Sequence, residues 1–419
     1  MNRVFSKGKA RAISGALLIA MLLFSVCLLS ACAPQEIVKA TPPQETEAEE
    51  NPATTATPPS GTNPDLHKEK VQRQLSSMTL EQKVAQLFIL RPEALTGVDL
   101  ATLAGETTKA ALGSFPVGGI IYFEKNLIDP EQTKTMLANT QAYAQENNGL
   151  PLFLCVDEEG GTVARIGGNP GFSVPSVGNM ADIGATNDPS QARTAGVTIG
   201  TYLKELGFNV AFAPDADIAN NPDSQVMALR SFGSDATLVA SMVQAELQGF
   251  EQTGVLACAK HFPGIGGAVG DSHNEAISTK ATLDQMMKTE LVPFRSAIAE
   301  KVPLIMVGHL AAPALTGNDL PASLSSALIT DVLRTKLGYD GLVTTDSLTM
   351  EAINARYTPD QAAVAVLNAG ADIVLMPADF PTAYQGVLDA IANGKLSKER
   401  IDQSVTRILS AKYSLSEAS

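Results

Sequence analysis

Tryptophan is absent from all 419 residues, and histidine and cysteine occur only four times each. The missing indole removes the commonest flat platform for stacking a sugar ring, and with it any obvious carbohydrate-binding module. Four cysteines do not make a disulfide framework for a chain of this length. Cys155 and Cys258 each sit in an apolar run, where a small buried thiol is the expected state. Positive charge is also scarce: 30 Lys and Arg against 44 Asp and Glu leave a net charge of -14. That balance excludes the electrostatic footprint of a nucleic-acid binder or of a protein held to an anionic membrane by charge. It does not exclude a membrane anchor made of lipid.

What is present is apolar and foldable. Apolar residues make up 45% of the chain and charged ones 18%, a globular composition, and the length suits one large domain or two ordinary ones. At the start, Arg3, Lys7, Lys9 and Arg11 precede the apolar run GALLIAMLLFSVCLL. Basic flanks, a run of this length and small residues before a cut predict a signal peptide over 1–31 rather than a spanning helix. Leu29-Ser-Ala-Cys32 resembles a bacterial lipobox, which implies that Cys32 becomes the lipidated first residue of an extracytoplasmic, membrane-anchored lipoprotein. An ordinary signal peptide with an incidental cysteine is the alternative. Residues 32–64 are rich in Pro, Thr, Glu and Ala and hold almost no large apolar side chain, so they are expected to form a solvated tether.

From 65 to 419 the chain alternates short apolar runs with amphipathic stretches. The runs are AQLFIL, GGIIYF, LFLCVD, NVAFAPDAD, VLACAKHF, LIMVGH, GLVTTD and DIVLMP. Near-continuous apolar strands separated by helices predict a parallel sheet covered on both faces. Eight of them predict a (β/α)8 barrel forming a single catalytic domain; a doubly wound open sheet is the runner-up, without a glycine fingerprint on its first turn. One amphipathic stretch, Thr282 to Glu300, reads as a helix that Pro293 should kink or break.

The polar residues gather where strands end: Asp157, Asp217, Lys260 with His261, His309, and Asp346. In a barrel those ends converge on one mouth, where the site lies. Asp346 could there be a base, a metal ligand, a nucleophile or a helix cap. A glycine-rich loop after His261 ends in Asp271-Ser-His273, a pairing in which the carboxylate orients the imidazole for acid/base work. A zinc site would need a third ligand at suitable spacing, and none accompanies them. Asp157 can accept hydroxyl hydrogen bonds, and Arg165, Arg230, Lys260 and His261 can donate. Carboxylates combined with Arg, Lys and His, without a phosphate loop, suit a polyhydroxylated substrate.

The stretch KHFPGIGGAVGDSH, Lys260 to His273, resembles the signature of the β-N-acetylglucosaminidase branch of glycoside hydrolase family 3. VDEEGG, FAPDAD, LRSFG, Gly308-His309 and TDSLTM follow in the order of that family. The resemblance implies a (β/α)8 barrel, retention of anomeric configuration, and no metal or cofactor. It places the nucleophile at Asp346, the general acid/base at His273 with Asp271 as its dyad partner, and the sugar contacts at Asp157, Arg165, Arg230, Lys260, His261, His309 and Asp217. Ile265 departs from it, standing where the family commonly has a second histidine; Asp215 and Ile277 replace an apolar residue and a proline. The chain also stops soon after the barrel, whereas relatives acting on β-glucosides usually carry a further domain.

The resemblance implies an exo-acting β-N-acetylglucosaminidase working on peptidoglycan fragments or chitooligosaccharides. The alternatives are a phosphorylase of the same family and, from another class, a sugar-binding lipoprotein without catalysis. The partners implied are a carbohydrate and, through Cys32, a membrane; nothing in the chain requires more than a monomer.

Overall fold

Each of the eight apolar runs forms a strand, and the strands lie side by side in the order of the chain. They are β1 (Phe88–Leu90), β2 (Gly119–Tyr122), β3 (Phe153–Val156), β4 (Val210–Ala211), β5 (Leu256–Phe262), β6 (Leu304–Val307), β7 (Leu342–Thr345) and β8 (Val374–Leu375). The structure is a computed structural model that describes residues 64–222, 224, 226–268 and 276–417. The expected signal peptide, Cys32 and tether lie outside the described residues, as do Asp271 and His273.

All neighbouring strands pair in parallel, and β1 pairs with β8 through Phe88 opposite Val374. A parallel bridge between Thr344 and Ile373 joins β7 to β8, with the Ile373 N–H donating to the Val343 carbonyl at 3.0 Å. First and last strands therefore meet, so the sheet is a closed barrel and not an open doubly wound one. Parallel neighbours need long crossovers, and helices supply them on the outside. Strand residues are buried along almost their whole length, which is why the runs show no alternation of apolar and polar.

The helices are built by ordinary local chemistry. Asp188 and Asp235 cap Pro189–Leu206 and Ala236–Thr253 by accepting from Ser190 and Leu238 backbone N–H groups. These two helices approach closely through glycine: a Cβ on Gly249 would stand 2.4 Å from the Arg193 carbonyl oxygen, and one on Gly196 2.3 Å from that of Glu246. The stretch expected as one helix from Thr282 is two, Leu283–Met286 and Leu291–Ala299. The break falls before Pro293, which sits in the first turn of the second helix, where its missing N–H has no intrahelical partner to lose.

At the end of the barrel opposite the strand C-termini, Asp372 binds Ser404 and the Val343 N–H and pairs with Arg334, Arg400 and Arg407. Lys412, fully buried, donates to Gln86 at 2.7 Å. Cys155 and Cys258 are free, buried thiols, as expected, and burial pushes both well above the ordinary thiol range.

Candidate active site

Closing the barrel brings the C-terminal ends of β3, β5 and β7 to one mouth. Asp157 is the first residue past β3, Lys260 and His261 are near the C-terminal end of β5, and Asp346 is the first residue past β7. A two-stranded ribbon, Glu158–Gly160 with Val163–Ala164, follows Asp157 and carries the chain on to Arg165. Together with Arg230 these side chains line a cavity of about 320 Å³. Its apolar side includes Met306, Met350, Leu375 and Met376. Met376 holds φ +48°, a left-handed conformation uncommon outside glycine and the kind of local strain that gathers at functional sites. A second cavity of about 370 Å³ opens between Leu247, Val255, Glu300 and Leu415, where β5 begins, and holds none of the residues singled out by the sequence.

The charged wall is organised by Glu159, which sequence reasoning passed over. Its carboxylate accepts from Arg230 Nε and Nη2, both at 2.8 Å, and pairs with Lys260 Nζ at 2.7 Å. Lys260 also donates to Asp157 at 2.8 Å. Burial alone would raise the Glu159 carboxyl, but Lys260 and Arg230 outweigh it and hold the group well below the usual range. Burial would likewise lower Lys260, and Asp157 and Glu159 reverse that. Two buried cations beside apolar strands require counter-charges, and that requirement was the available signal for Glu159. Its neighbour Glu158 is spent elsewhere, accepting from the Ile166 and Gly167 N–H groups and Tyr202.

Asp217 and His309, expected as sugar contacts, do not line the cavity. Asp217 is fully buried behind His261: one oxygen lies 2.7 Å from His261 Nδ1, and the other accepts from the Ile265 N–H at 2.6 Å. Burial would lower the His261 imidazole, yet Asp217 raises it above its ordinary value. Arg230 Nη2 stands 3.3 Å from His261 Nε2. Asp215, also buried, accepts from the Asp217 N–H at 2.9 Å and lies 3.5 Å from Arg230. Burial and the Asp217 charge push its carboxyl up to about 7. His309 is also buried and faces Ser323 and the Ser347 carbonyl.

Asp215, Asp217 and His261 are the only group among the described residues whose ligand atoms gather closely enough for a metal, within 4.8 Å of one another. His261 Nδ1 is already engaged with Asp217, and the Arg230 charge beside Asp215 opposes a further cation.

Asp346 itself is half-buried. Loss of water around it would raise its carboxyl, but His261, His309, the Ser347 N–H and Lys260 together bring it below its ordinary value. An ionised carboxylate thus faces a cavity whose other wall can exchange hydrogen bonds with hydroxyl groups. Ile265 buries its side chain with Ala268, Ile277, Met227 and Leu310 in a small apolar cluster separate from the main core. The two departures Ile265 and Ile277 therefore meet in space, on either side of the Asp271–His273 stretch.

Residues 79–411 match the Glycosyl hydrolase family 3 N terminal domain. The chain is 35% identical over 345 residues to Beta-hexosaminidase A of Pseudoalteromonas piscicida, covering 76% of this chain and 57% of that protein. It is 37% identical over 313 residues to Beta-hexosaminidase LpqI of Mycobacterium tuberculosis, covering 73% and 78%. Among solved structures, a glycoside hydrolase family 3 beta-N-acetylglucosaminidase from Paenibacillus sp. str. FPU-7 superposes with a TM-score of 0.77 at 39% identity, covering 82% of this chain and 64% of that one. The chain thus spans little more than half of the Pseudoalteromonas protein and less than two thirds of the Paenibacillus chain.

Proposed function

Because the chain belongs to glycosyl hydrolase family 3, we propose that it is a retaining, exo-acting β-N-acetylglucosaminidase that removes terminal β-linked GlcNAc from peptidoglycan fragments or chitooligosaccharides. The observation that carries this reading is the half-buried Asp346, its carboxyl held below the ordinary range, in one cavity with Asp157, Arg165, Arg230, Lys260 and His261. The names of the relatives, beta-hexosaminidases and a beta-N-acetylglucosaminidase, support the choice of sugar.

The chemistry proceeds in two displacements. An Asp346 oxygen attacks the anomeric carbon while His273, as imidazolium, gives its proton to the departing glycosidic oxygen. The neutral His273 then takes a proton from water, whose oxygen displaces Asp346 from the same carbon and restores the original configuration. Retaining enzymes generally use two carboxyl groups; a cationic acid beside an anionic nucleophile avoids their like-charge conflict. Asp271 orients the imidazole. Asp157 and Lys260, already paired, hold the sugar hydroxyls, and Arg165, Arg230 and His261 complete the polar wall. Asp217 acts by holding His261. A lipid anchor at Cys32 and the following tether would place this activity outside the cytoplasmic membrane, a reading supported by the sequence of the first 64 residues alone.

The test compares an aryl β-GlcNAc with an aryl β-glucoside, with and without phosphate. Turnover of the GlcNAc substrate, independent of phosphate and abolished in Asp346→Asn, is the expected result. Turnover that requires phosphate would make the protein a phosphorylase. GlcNAc binding with no turnover would leave it a binding protein.

A further inference from the structure

The sequence expectation places His309 at the sugar, and its position in the fold gives it a different task. His309 follows β6 and is 1% exposed. Its Nε2 lies 2.9 Å from the Ser347 carbonyl oxygen, which can only accept, so Nε2 carries a proton. Nδ1 lies 2.8 Å from Ser323 Oγ, whose hydroxyl can donate to it. Ser323 is fully buried in the short turn Ala322–Leu324, and its own N–H donates to the Gly308 carbonyl at 3.1 Å. A line of hydrogen bonds therefore runs from that turn, through the imidazole, to the residue after Asp346.

The Asp346 side of the line is equally defined. The Asp346 N–H donates to the Val307 carbonyl at 2.9 Å, and its Oδ1 accepts from the Ser347 N–H at 2.7 Å. The next peptide is held at both ends: its carbonyl by His309, and its N–H, that of Leu348, by the Leu375 carbonyl at 3.0 Å. A carboxylate oxygen bound to the following amide turns with that segment, so what holds Ser347 also holds the carboxylate.

We propose that His309, backed by Ser323, is a positioning residue that fixes the direction of the Asp346 carboxylate through Ser347. The inference rests on the reading of Asp346 as nucleophile. Attack on an anomeric carbon needs the oxygen close and aligned, and a displacement of about 1 Å can cost on the order of 100-fold in rate. Among the described residues, the charged and titratable groups set against Asp346 are Lys260, His261 and Cys258 from β5 and His309 from β6, with Asp157, Glu159, Arg165 and Arg230 lining the same cavity. Removing His309 leaves the Ser347 carbonyl without its imidazole partner, and so loosens the Ser347 N–H that favours the ionised Asp346 carboxylate.

The full chain and its His309→Asn, Ser323→Ala, Ser323→Thr and Asp346→Asn variants are compared on an activated aryl β-GlcNAc across pH, with thermal unfolding alongside. In His309→Asn, kcat falls by about 10- to 100-fold with KM little changed, and the acid limb of the kcat/KM profile moves to higher pH. Ser323→Ala shifts both quantities in the same direction by less, and Ser323→Thr, which keeps the hydroxyl, restores them. A rise in KM with kcat and the acid limb unmoved would make His309 a sugar contact and overturn the proposal. A loss of melting temperature with unaltered kinetics would reduce it to a packing residue. If His309→Asn fails to fold, Ser323→Ala decides: folded with unchanged kcat and acid limb, it overturns the proposal. Activity surviving in Asp346→Asn would instead remove the nucleophile reading and this inference with it, a result distinct from an inactive Asp346→Asn beside an unaffected His309→Asn.

Discussion

At the scale of single residues, charge in this molecule is governed by depth. Glu246 is fully buried on the helix Ala236–Thr253, and neither of its carboxylate oxygens has a hydrogen-bond partner among the described residues. Burial, aided by the charges of Glu159 and Asp215, pushes its pKa well above the ordinary 4.5. The unfolded chain releases this proton as pH rises through about 4.5, while the folded chain keeps it. The stability tied to the neutral acid is therefore complete below that pH and falls as pH rises toward the folded value. Glu246→Gln, neutral and of the same shape, is expected to flatten that slope: its melting temperature should exceed that of the parent at pH 8 by more than at pH 5. An equal offset at both values would mean that Glu246 is ionised in the fold. The contrast with Asp346 shows how far single residues were legible. Asp157, Lys260, His261 and Asp346 could be placed at the mouth because each ends an apolar run. Their neighbours could not be ranked by depth: Asp217 and His309 end strands too, but they point behind the wall. Glu159 organises that wall from a ribbon with no apolar run to announce it.

At the scale of elements, the strands were legible because a parallel barrel strand is buried on both faces and so appears as an uninterrupted apolar run. The break before Leu291 was less so. Of the kink or break expected at Pro293, the structure has the break, a few residues earlier, because proline is compatible with a first helical turn and so sits in the start of the second helix. The packing of Pro189–Leu206 against Ala236–Thr253 rests on close backbone approach at Gly196 and Gly249. Gly249→Ala sets a methyl group 2.4 Å from the Arg193 carbonyl oxygen and 2.8 Å from the Val197 nitrogen, both backbone atoms that move only with their helix. It should cost about 1–3 kcal/mol in chemical denaturation, typical of overpacking. No loss would mean the two helices can separate freely. Because Ala236–Thr253 also carries Glu246, behind the charged wall, such a shift should also raise KM for the GlcNAc substrate.

At the scale of the whole molecule, one ring of eight strands gathers residues from Asp157 to Asp346, nearly 190 positions apart, around a single cavity. The closed topology explains why ionisable residues recur at successive strand ends: each strand contributes to the same mouth. It also explains why family membership and fold could be expected from the order of short motifs, while the depth of each side chain could not. The proposed reaction makes the whole arrangement serve one covalent intermediate, a GlcNAc residue esterified to Asp346. The most direct measurement is peptide mass spectrometry of the protein after reaction with a slowly deglycosylating 5-fluoro-GlcNAc fluoride. The account predicts one fluorosugar adduct, confined to the peptide containing Asp346. An adduct on another carboxylate, or turnover of the reagent with no covalent species formed, would contradict it.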